Sequence, residues 1–486
     1  MIRTLLINPP FSLEERYGGH MKSFGAVSEP LGLAYLAAAL EAAGCPVEIM
    51  DAAALDLNPD DIIQRIHAGD FGLVGVTLLT PMFDAVQRLL RRIRSSKGEA
   101  KLLVGGPHAS ALPVRTMEEI PEIDLLCVGE GEATIVDLVH RLSAKAPLSD
   151  IPGLVWRLGH RIVRNSDRPF LKDLDALPKP ARHLLPMERY QLTASRTRGS
   201  GFCPTVILAR GCPFDCRYCS HPFGRTFRHH SVGRVIEELS ELKKQYHVTQ
   251  VNLEADTLTL DSHFVQQLCR RLIDENLNLQ WTCESRVDTV DEPTLQLMKA
   301  AGCWQISYGV ESGSQRLLDH ICKGVTREKI IETFSATQKT GISIRGFFML
   351  GLPHETEAET LKTIRFARQL DPLWAQFTIT IPYPGTPMFD ELDRIGMIRH
   401  YHWADYNTWG GWADRRLPYV PSGRSEADIK AMQKRAMRMF YLRPKIFLRF
   451  IRSISSPSDF AKYFRGFWVL FKTGVRNSVG KPPTPI

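Results

Sequence analysis

Short apolar runs alternate with segments of helical periodicity in the first third of the chain. This repetition of strand and helix predicts a parallel sheet with helices on both faces, a doubly wound α/β domain over residues 1–146. The predicted strands are TLLINP (4–9), PVEIMD (46–51), GLVGVTLL (72–79), KLLVGG (101–106) and DLLCVGEGE (124–132).

The predicted carboxyl ends of these strands carry small, polar and glycine-rich sequences. They read NPP, TLLTP, GGPH and GEGE. In open α/β sheets, ligands bind beyond the carboxyl ends of the strands, and glycine lets a backbone approach a bulky ligand closely. Tight turns between strand and helix would have a similar composition, but four such sequences at one edge favour a binding face.

The rest of the chain divides into three segments. Residues 147–200 contain prolines, charges and short apolar runs, which predict a small hairpin and a linker. Residues 201–400 repeat the strand–helix pattern six times, which predicts a partial (β/α)6 TIM-type barrel with its chemistry at the carboxyl ends of the strands. Residues 401–486 are expected to form a helical, basic C-terminal region. The predicted barrel strands are TVILAR (205–210), QVNLEAD (250–256), QWTCESR (280–286), QISYGVES (305–312), SIRGFFMLG (343–351) and AQFTITIPY (375–383).

Three cysteines stand within eight residues directly after the first predicted barrel strand. In RGCPFDCRYCSHP they are Cys212, Cys216 and Cys219. Together with His221 they could close a tetrahedral zinc site. A four-iron cluster is normally held by four thiolates, so three would leave one iron open to an exogenous ligand. The spacing alone leaves both metals open.

This C-x3-C-x2-C loop at the mouth of a six-unit barrel resembles that of the radical S-adenosylmethionine (SAM) superfamily, and Tyr218 fits the aromatic before its last cysteine. The resemblance implies that the three cysteines hold a 4Fe-4S cluster whose open iron chelates SAM, which is then cleaved to a 5′-deoxyadenosyl radical. It also implies SAM-binding roles for strand-end residues. These are Glu254, Asp256, Arg286, Glu311 and Ser312, with Tyr218 beside them. In the fifth-strand turn, GFFMLGLPHET, His354 replaces the glycine that is frequent in the family.

The first domain is similar to the cobalamin-binding domain that is fused to many radical SAM enzymes, and the two resemblances together cover about residues 1–400. The similarity implies a Rossmann- or flavodoxin-like fold with the corrin against the strand-end loops. The D-x-H-x-x-G motif that supplies an axial histidine in other cobalamin proteins is absent, as is common in this subclass, and His108 is given no ligand role. The candidate cobalamin-contacting residues are Ser28, Thr77, Gly105, Gly106, His108, Gly129 and Glu130.

Composition limits the class of protein. With 486 residues, of which 44% are hydrophobic and 23% charged, the chain is typical of a soluble protein of two or three domains. Its ten cysteines follow no evenly spaced framework, which favours a reducing cytoplasm. We expect no signal peptide and no single-helix membrane span, because the sequence lacks a cleavable leader and a run of about 18 apolar residues.

The net charge of +8 comes from the end of the chain. Residues 421–486 contain 14 Lys and Arg against three Asp and Glu, so this segment carries +11 and the remainder −3. Within it, aromatic residues recur at helical spacing beside basic ones: Phe460, Phe464, Phe467 and Phe471. Such a helix can contact a membrane surface peripherally or can dock on the barrel. No nucleic-acid-binding motif accompanies the charge, so no nucleic acid partner is expected.

Three functions fit these features. The first is cobalamin-dependent methylation of a carbon in a hydrophobic biosynthetic intermediate, either lipid-like or a tetrapyrrole. The second keeps the radical chemistry without methyl transfer and would give cyclisation, oxidation or dehydration. Both require an external electron donor. The third is a zinc-binding interaction protein that uses Cys212, Cys216, Cys219 and His221.

Overall fold

The computed structural model describes residues 1–18, 25–96, 99–193, 195–198, 202–409, 412 and 415–453. The aromatic stripe of residues 460–471 lies outside the described residues. Among the helices that the structure describes, none is both long enough and apolar enough to cross a membrane.

The N-terminal half forms a seven-stranded sheet in the order β2-β1-β3-β4-β5-β6-β7, in which the first five strands are parallel. The 2-1-3-4-5 order is that of flavodoxin-like folds, whose ligand crevice opens where the strand order reverses, here between β1 and β3. The elements of this half are β1 (Thr4–Asn8), α1 (Leu13–Tyr17), α2 (Leu31–Ala42), β2 (Val47–Asp51), α3 (Pro59–Gly69), β3 (Leu73–Thr77), α4 (Phe83–Ser95), β4 (Lys101–Gly105), α5 (Pro107–Ala111), α6 (Pro113–Glu119), β5 (Leu125–Cys127), α7 (Glu132–Ala144), β6 (Leu154–Leu158) and β7 (Arg161–Arg164).

Local sequence explains the layers of this half. The central strand β3, LVGVT, is buried along almost its whole length because helices cover both faces of the sheet. The hairpin of β6 and β7 pairs antiparallel with β5, so it continues the first sheet at its edge. The expected doubly wound architecture is confirmed.

The C-terminal half contains a six-stranded parallel sheet, β15-β14-β13-β12-β11-β8, with helices on its outer face. The sequence-based expectation of a partial (β/α)6 barrel followed by helices is confirmed. The elements are β8 (Thr205–Ile207), β9 (Ala209–Arg210), β10 (Arg228–His229), α8 (Val232–Tyr246), β11 (Gln250–Glu254), α9 (Ser262–Asp274), β12 (Gln280–Ser285), α10 (Glu292–Ala300), β13 (Cys303–Glu311), α11 (Gln315–His320), α12 (Arg327–Lys339), β14 (Ser343–Leu350), α13 (Glu357–Leu370), β15 (Trp374–Ile379), α14 (Pro387–Arg394), α15 (Glu426–Tyr441) and α16 (Pro444–Ser453).

Side-chain alternation gives the barrel strands an apolar outer face and a polar inner face. On β13, Ile306 and Tyr308 belong to the core under the helices, and Tyr308 bonds Thr337 of α12. On β14, Ile344 and Phe348 belong to the same core. The residues between them therefore point into the barrel.

The two halves share a buried interface. Trp403, which follows the barrel, packs against Phe83 of α4 and Phe389 of α14. In the linker, Arg182 pairs with Glu238 of α8 at 2.6 Å, and Glu29 of the first half accepts a hydrogen bond from the backbone N–H of Thr205 at 2.9 Å. The carboxyl edge of the first sheet is thereby held against the barrel.

Candidate active site

The cysteine loop begins at a backbone position that only glycine suits. Gly211 has φ +88°, and a Cβ at this position would lie 2.2 Å from the carbonyl oxygen of Thr226. Its N–H donates to the Asp256 carboxylate at 2.9 Å, and the N–H of Cys212 donates to the Gly224 carbonyl at 3.2 Å. The start of the loop is therefore fixed between β11 and the segment that returns to β10.

The three thiols lie close enough together to influence one another. The pKa of Cys219 is raised to about 12, first by desolvation and then by the neighbouring Cys216, Cys212 and Asp256. A thiol with that pKa stays protonated near neutral pH unless a metal centre replaces its proton. Grouped, mutually repelling thiolates are a donor set that fits a cationic iron–sulfur cluster. In the described part of the chain, no three His, Cys, Asp or Glu side chains are grouped around a position for a single metal ion.

Arg286 lies directly against the cysteine loop. Its NH1 is 3.4 Å from the Cys216 sulfur, and its guanidinium stacks 3.6 Å from the centre of the Phe214 ring. The other side of the guanidinium forms a bidentate pair with Asp288 at 2.8 and 2.9 Å. The sequence predicted Arg286 as a SAM carboxylate ligand, and the structure places it at the thiols with most of its donors already bonded.

The half-buried Tyr218 and the buried Glu311 and Lys323 form a hydrogen-bonded network at the mouth of the barrel. Lys323 donates to the Glu311 carboxylate and to the Tyr218 hydroxyl, each at 3.0 Å, and Tyr218 donates to Glu311 at 2.9 Å. A side chain at Gly309 would meet Glu311 at 2.4 Å and Lys323 at 2.8 Å, so this glycine makes room for the network. The sequence analysis identified Tyr218 and Glu311 but missed Lys323, whose position between two predicted residues becomes visible only in the fold.

The remaining SAM candidates differ in their availability. Glu254 and Asp256 are in contact with solvent, although protein surrounds most of each side chain. Burial raises the pKa of both carboxyls, and the nearby Glu284 carboxylate raises each further above its ordinary value. Ser312 is fully buried, and its hydroxyl contacts Thr363 at 3.2 Å and accepts a hydrogen bond from the Ser314 N–H. Glu254 and Asp256 can therefore receive a polar ligand, whereas any contact from Ser312 would involve its backbone.

Glu130, predicted at the cobalamin face, lies in a buried ion cluster between the two halves. Arg210 and Arg228 stand directly opposite each other on β9 and β10, and both donate to Glu130, at 3.1 and 3.0 Å. Arg210 also donates to Glu132 at 2.6 Å, and the Leu171 N–H donates to Glu130 at 2.8 Å. Burial lowers the pKa of Arg210, but Glu132 and Glu130 outweigh this and raise it. The cluster fastens the strand before Cys212 to the first domain.

The other cobalamin candidates follow the carboxyl edge of the first sheet. Gly106, with φ +109°, would place a Cβ 2.9 Å from the Leu78 carbonyl and 3.2 Å from Thr77 Oγ1, so β3 and β4 approach closely there. Gly129 faces open space, and the half-buried Gly105 ends β4. Ser28 is exposed beside the bridge that joins residues 27 and 191. The free space at Gly129 leaves room for a broad, flat ligand at this edge.

His108 is enclosed by other side chains. Its Nδ1 lies 3.1 Å from the Thr80 hydroxyl, and its ring packs edge-on against Phe83 and Trp403 at centroid distances of 5.2 and 5.0 Å. Burial lowers the pKa of His108 to about 4, with Arg115 contributing. A neutral, fully packed ring at this position is consistent with cobalamin binding without an axial protein histidine.

An open cavity lies between the sheet edge and the barrel. It holds about 160 Å³, and its wall comes from both halves of the chain. The first half contributes the segments after β1 and β3, which flank the switch point of the sheet, and the second half contributes the segment after β15 and residues 407–409. The lining residues are Phe11, Arg16, Tyr17, Leu79, Pro81, Met82, Tyr383, Asn407, Thr408 and Trp409. Leu79 and Pro81 belong to TLLTP, one of the strand-end sequences predicted to form a binding face. The other lining residues were not singled out from the sequence, and the apolar and aromatic ones among them resemble ordinary core residues.

Comparison with known proteins agrees with this arrangement. Residues 20–139 match the B12 binding domain family, and residues 206–367 match the Radical SAM superfamily. An uncharacterized methyltransferase of Pyrococcus horikoshii is 35% identical over 454 residues, which cover 92% of this chain and 94% of the relative. The anaerobic magnesium-protoporphyrin IX monomethyl ester cyclase of Rubrivivax gelatinosus is 30% identical, over 75% of this chain and 67% of the relative.

A solved structure shares the fold over most of the chain. The radical SAM methyltransferase TsrM from Kitasatospora setae, solved with cobalamin and a [4Fe-4S] cluster, superposes with a TM-score of 0.69 at 18% identity and covers 92% of this chain and 90% of its own. The fold and the site thus define a radical SAM enzyme with a cobalamin-binding domain. The chain belongs to the family of cobalamin-dependent radical SAM enzymes that includes methyltransferases and magnesium-protoporphyrin cyclases. This membership confirms the expected cofactors, which are a 4Fe-4S cluster, SAM and cobalamin. It disfavours the hypothesis of a zinc-binding interaction protein.

Proposed function

We propose that this chain is a cobalamin-dependent C-methyltransferase that acts on a hydrophobic biosynthetic intermediate. The observation that carries the proposal is the cavity between the two domains, whose wall combines the switch point of the first sheet with the end of the barrel. Its lining is largely aromatic and apolar, which suits a hydrophobic substrate. The methyltransferase relative, at 35% identity over nearly the whole chain, supports the same reaction class.

The residues present fit the implied cofactors. Cys212, Cys216 and Cys219 would hold the cluster, and the glycine-rich edge at Gly105, Gly106 and Gly129 would face the corrin. When bound, the cluster with SAM supplies one-electron chemistry that removes a hydrogen atom from substrate, and cobalamin supplies the methyl group.

The protein's own polar groups would bind and orient SAM. Lys323 fixes the Glu311 carboxylate and the Tyr218 hydroxyl in one hydrogen-bonded network, so both are held before any ligand arrives. Glu254 and Asp256 present carboxylates with raised pKa at the neighbouring strand end. Burial disfavours the charged form of both carboxyls, and a cationic ligand bound beside them would favour that form and offset part of the cost.

A second candidate is radical cyclisation, oxidation or dehydration without methyl transfer. The observation in its favour is the cyclase relative at 30% identity over 75% of the chain. Both candidates require electrons from an external donor.

The products of a single anaerobic incubation distinguish the two candidates. We expect reconstituted protein, supplied with SAM, cobalamin and a low-potential reductant, to form 5′-deoxyadenosine and S-adenosylhomocysteine together when substrate is present. Liquid chromatography with mass spectrometry measures both. Formation of 5′-deoxyadenosine alone, with a substrate-derived product that has gained no methyl group, would favour the second candidate and contradict methyl transfer.

Corrinoid binding provides a separate prediction. Protein purified with cobalamin available should retain about one corrinoid per chain, with no protein histidine on the metal, because His108 is packed between rings and bonded to Thr80. Visible and electron paramagnetic resonance spectra report the axial ligand. His108→Gln should leave the bound spectrum unchanged. If the wild type shows an axial nitrogen ligand that is lost in His108→Gln, the prediction is contradicted. If the spectrum of the purified protein does not change when cobalamin is added, the protein does not bind cobalamin and methyl transfer is contradicted.

A further inference from the structure

Arg345 is a buried arginine in the barrel lumen that lacks an anionic partner. It is the third residue of β14. Ile344 and Phe348 of the same strand lie in the core under the helices and define its outer face, so Arg345, at an alternate position, points inward. One terminal nitrogen donates to Gln376 on β15, and the guanidinium lies 4.8 Å from the centre of the Phe347 ring. The other terminal nitrogen, NH1, has no hydrogen-bond partner among the described residues.

The other buried arginines of the described chain show how unusual this is. Five arginines are buried, and four of them pair with a carboxylate: Arg182 with Glu238 at 2.6 Å, Arg210 with Glu132 at 2.6 Å, Arg228 with Glu130 at 3.0 Å and Arg286 with Asp288 at 2.8 Å. Arg345 has no such ion pair within the described part of the chain. A buried charge without a counter-charge is costly, so proteins pair such charges or use them to bind a ligand.

The charges around Arg345 leave it uncompensated. Glu284 occupies the same layer, since it is in register with Ser307 and Ser307 is in register with Arg345, but Glu284 already pairs with Arg196. Glu254 stands on the next strand and feels the repulsion of Glu284. The pKa of Arg345 is lowered to about 10, first by burial and then by Arg196, whose effect exceeds the opposing effect of Glu284. The protein itself therefore does not neutralise this side chain.

A second unsatisfied group lies nearby on the lumen face. Gln305 of β13 is fully buried, and neither its amide oxygen nor its amide nitrogen has a partner in the part of the chain that the structure describes. It stands two residues before Ser307 on the same face of the strand, one layer deeper than Arg345. Two unpartnered polar side chains on adjacent strands of one lumen indicate a place for a polar ligand.

We propose that Arg345, with Gln305 beside it, forms an anion-binding subsite that takes an oxyanion of the substrate, a carboxylate or a phosphonate. This inference rests on the proposed function, whose substrate occupies the cavity between the two domains, and it extends that substrate into the barrel lumen. It narrows the substrate class to hydrophobic molecules that carry an acidic group. Arg345 lies about 7 Å, one layer of inward side chains, below Phe347 and Gly309. An acidic group held there anchors one end of the substrate deep in the lumen and directs the rest toward the mouth with Glu311 and Lys323.

The test uses the full-length, cluster-loaded protein and two simple probes, propionate and methylphosphonate, with uncharged propionamide as the reference. Thermal unfolding of the wild type should shift upward with at least one anion and not with propionamide. In Arg345→Met the apparent affinity for that anion should fall about tenfold or more, because a charge-assisted hydrogen bond is lost. Arg345→Lys, which keeps the charge, should retain part of the binding. The anion that binds more tightly identifies the acidic group.

Stability without any anion separates a ligand-binding role from a structural one. Arg345→Met should raise the melting temperature of the anion-free protein by about 2 °C, since an unpaired buried charge is removed. The matched control Arg182→Met should lower it, because the buried carboxylates Glu29 and Glu238 both lose a cationic partner, and Glu238 keeps only Arg234. A fall in Arg345→Met comparable to that in Arg182→Met, or equal anion shifts in wild type and Arg345→Met, would overturn the proposal. These readouts need no turnover, so they stand or fall separately from methyl transfer.

Discussion

Replacing Cys212, Cys216 or Cys219 with alanine should abolish both the iron–sulfur absorbance and the formation of 5′-deoxyadenosine. Each substitution removes one of the three thiolate ligands, and a cluster held by the remaining two is not retained. The loop cannot compensate by rearrangement, because Gly211 is fixed against the Thr226 carbonyl and the Asp256 carboxylate. Iron content per chain, measured after anaerobic reconstitution, and the visible spectrum are the readouts.

Two substitutions serve as controls for the cysteine variants. Cys322→Ala removes an exposed thiol of the barrel and should leave iron content unchanged, and His221→Gln should do the same. Loss of iron from Cys322→Ala would contradict a set of three thiolates. Stoichiometric zinc with no iron in anaerobically purified wild type would contradict the cluster itself.

Glu130→Gln should destabilise the protein even when no cofactor is bound. The substitution removes the carboxylate that lies between Arg210 and Arg228, which stand opposite each other on β9 and β10. Breaking a buried ion pair from one side costs about 3 kcal/mol or more, because a buried charge is left uncompensated. For a chain of 486 residues, the melting temperature of the metal-free protein should fall by about 3 °C or more.

The control for Glu130→Gln is the same chemical change at an exposed pair. Glu332→Gln on α12 breaks the ion pair with Lys329. The Glu332 side chain is 70% exposed, so the substitution should lower the free energy of unfolding by less than about 1 kcal/mol. If Glu130 instead acts by contacting cobalamin, its substitution would leave the metal-free melting temperature unchanged and would reduce only the retained corrinoid. That outcome would contradict the structural role. Reduced iron content in Glu130→Gln would further support the structural role, because Arg210 lies directly before the cysteine loop.

The sequence alone determined both sheets and the metal loop, because each depends on local order along the chain. A parallel strand that is buried on both faces needs a continuous apolar run, and TLLIN and LVGVT are visible as such runs. The barrel strands are visible instead as short segments that alternate apolar and polar residues between helical segments. Thiolates that share one cluster from a single loop must be close in sequence, which made Cys212, Cys216 and Cys219 recognisable together. The strand-end position of Glu254, Asp256 and Arg286 followed from the same local pattern.

Only the tertiary structure decided which polar side chains remain free to bind a ligand. Glu130 and Arg345 are both polar residues at or within predicted strands, yet the fold gives Glu130 two arginines from 80 and 98 residues away and gives Arg345 no carboxylate in the described chain. Lys323 reaches Tyr218 across 105 residues, and the cavity joins Leu79 to Trp409. Such pairings depend on how strands from distant parts of the chain come into register, because desolvation and charge compensation are fixed by neighbours in space, and the order of residues in the sequence does not specify those neighbours.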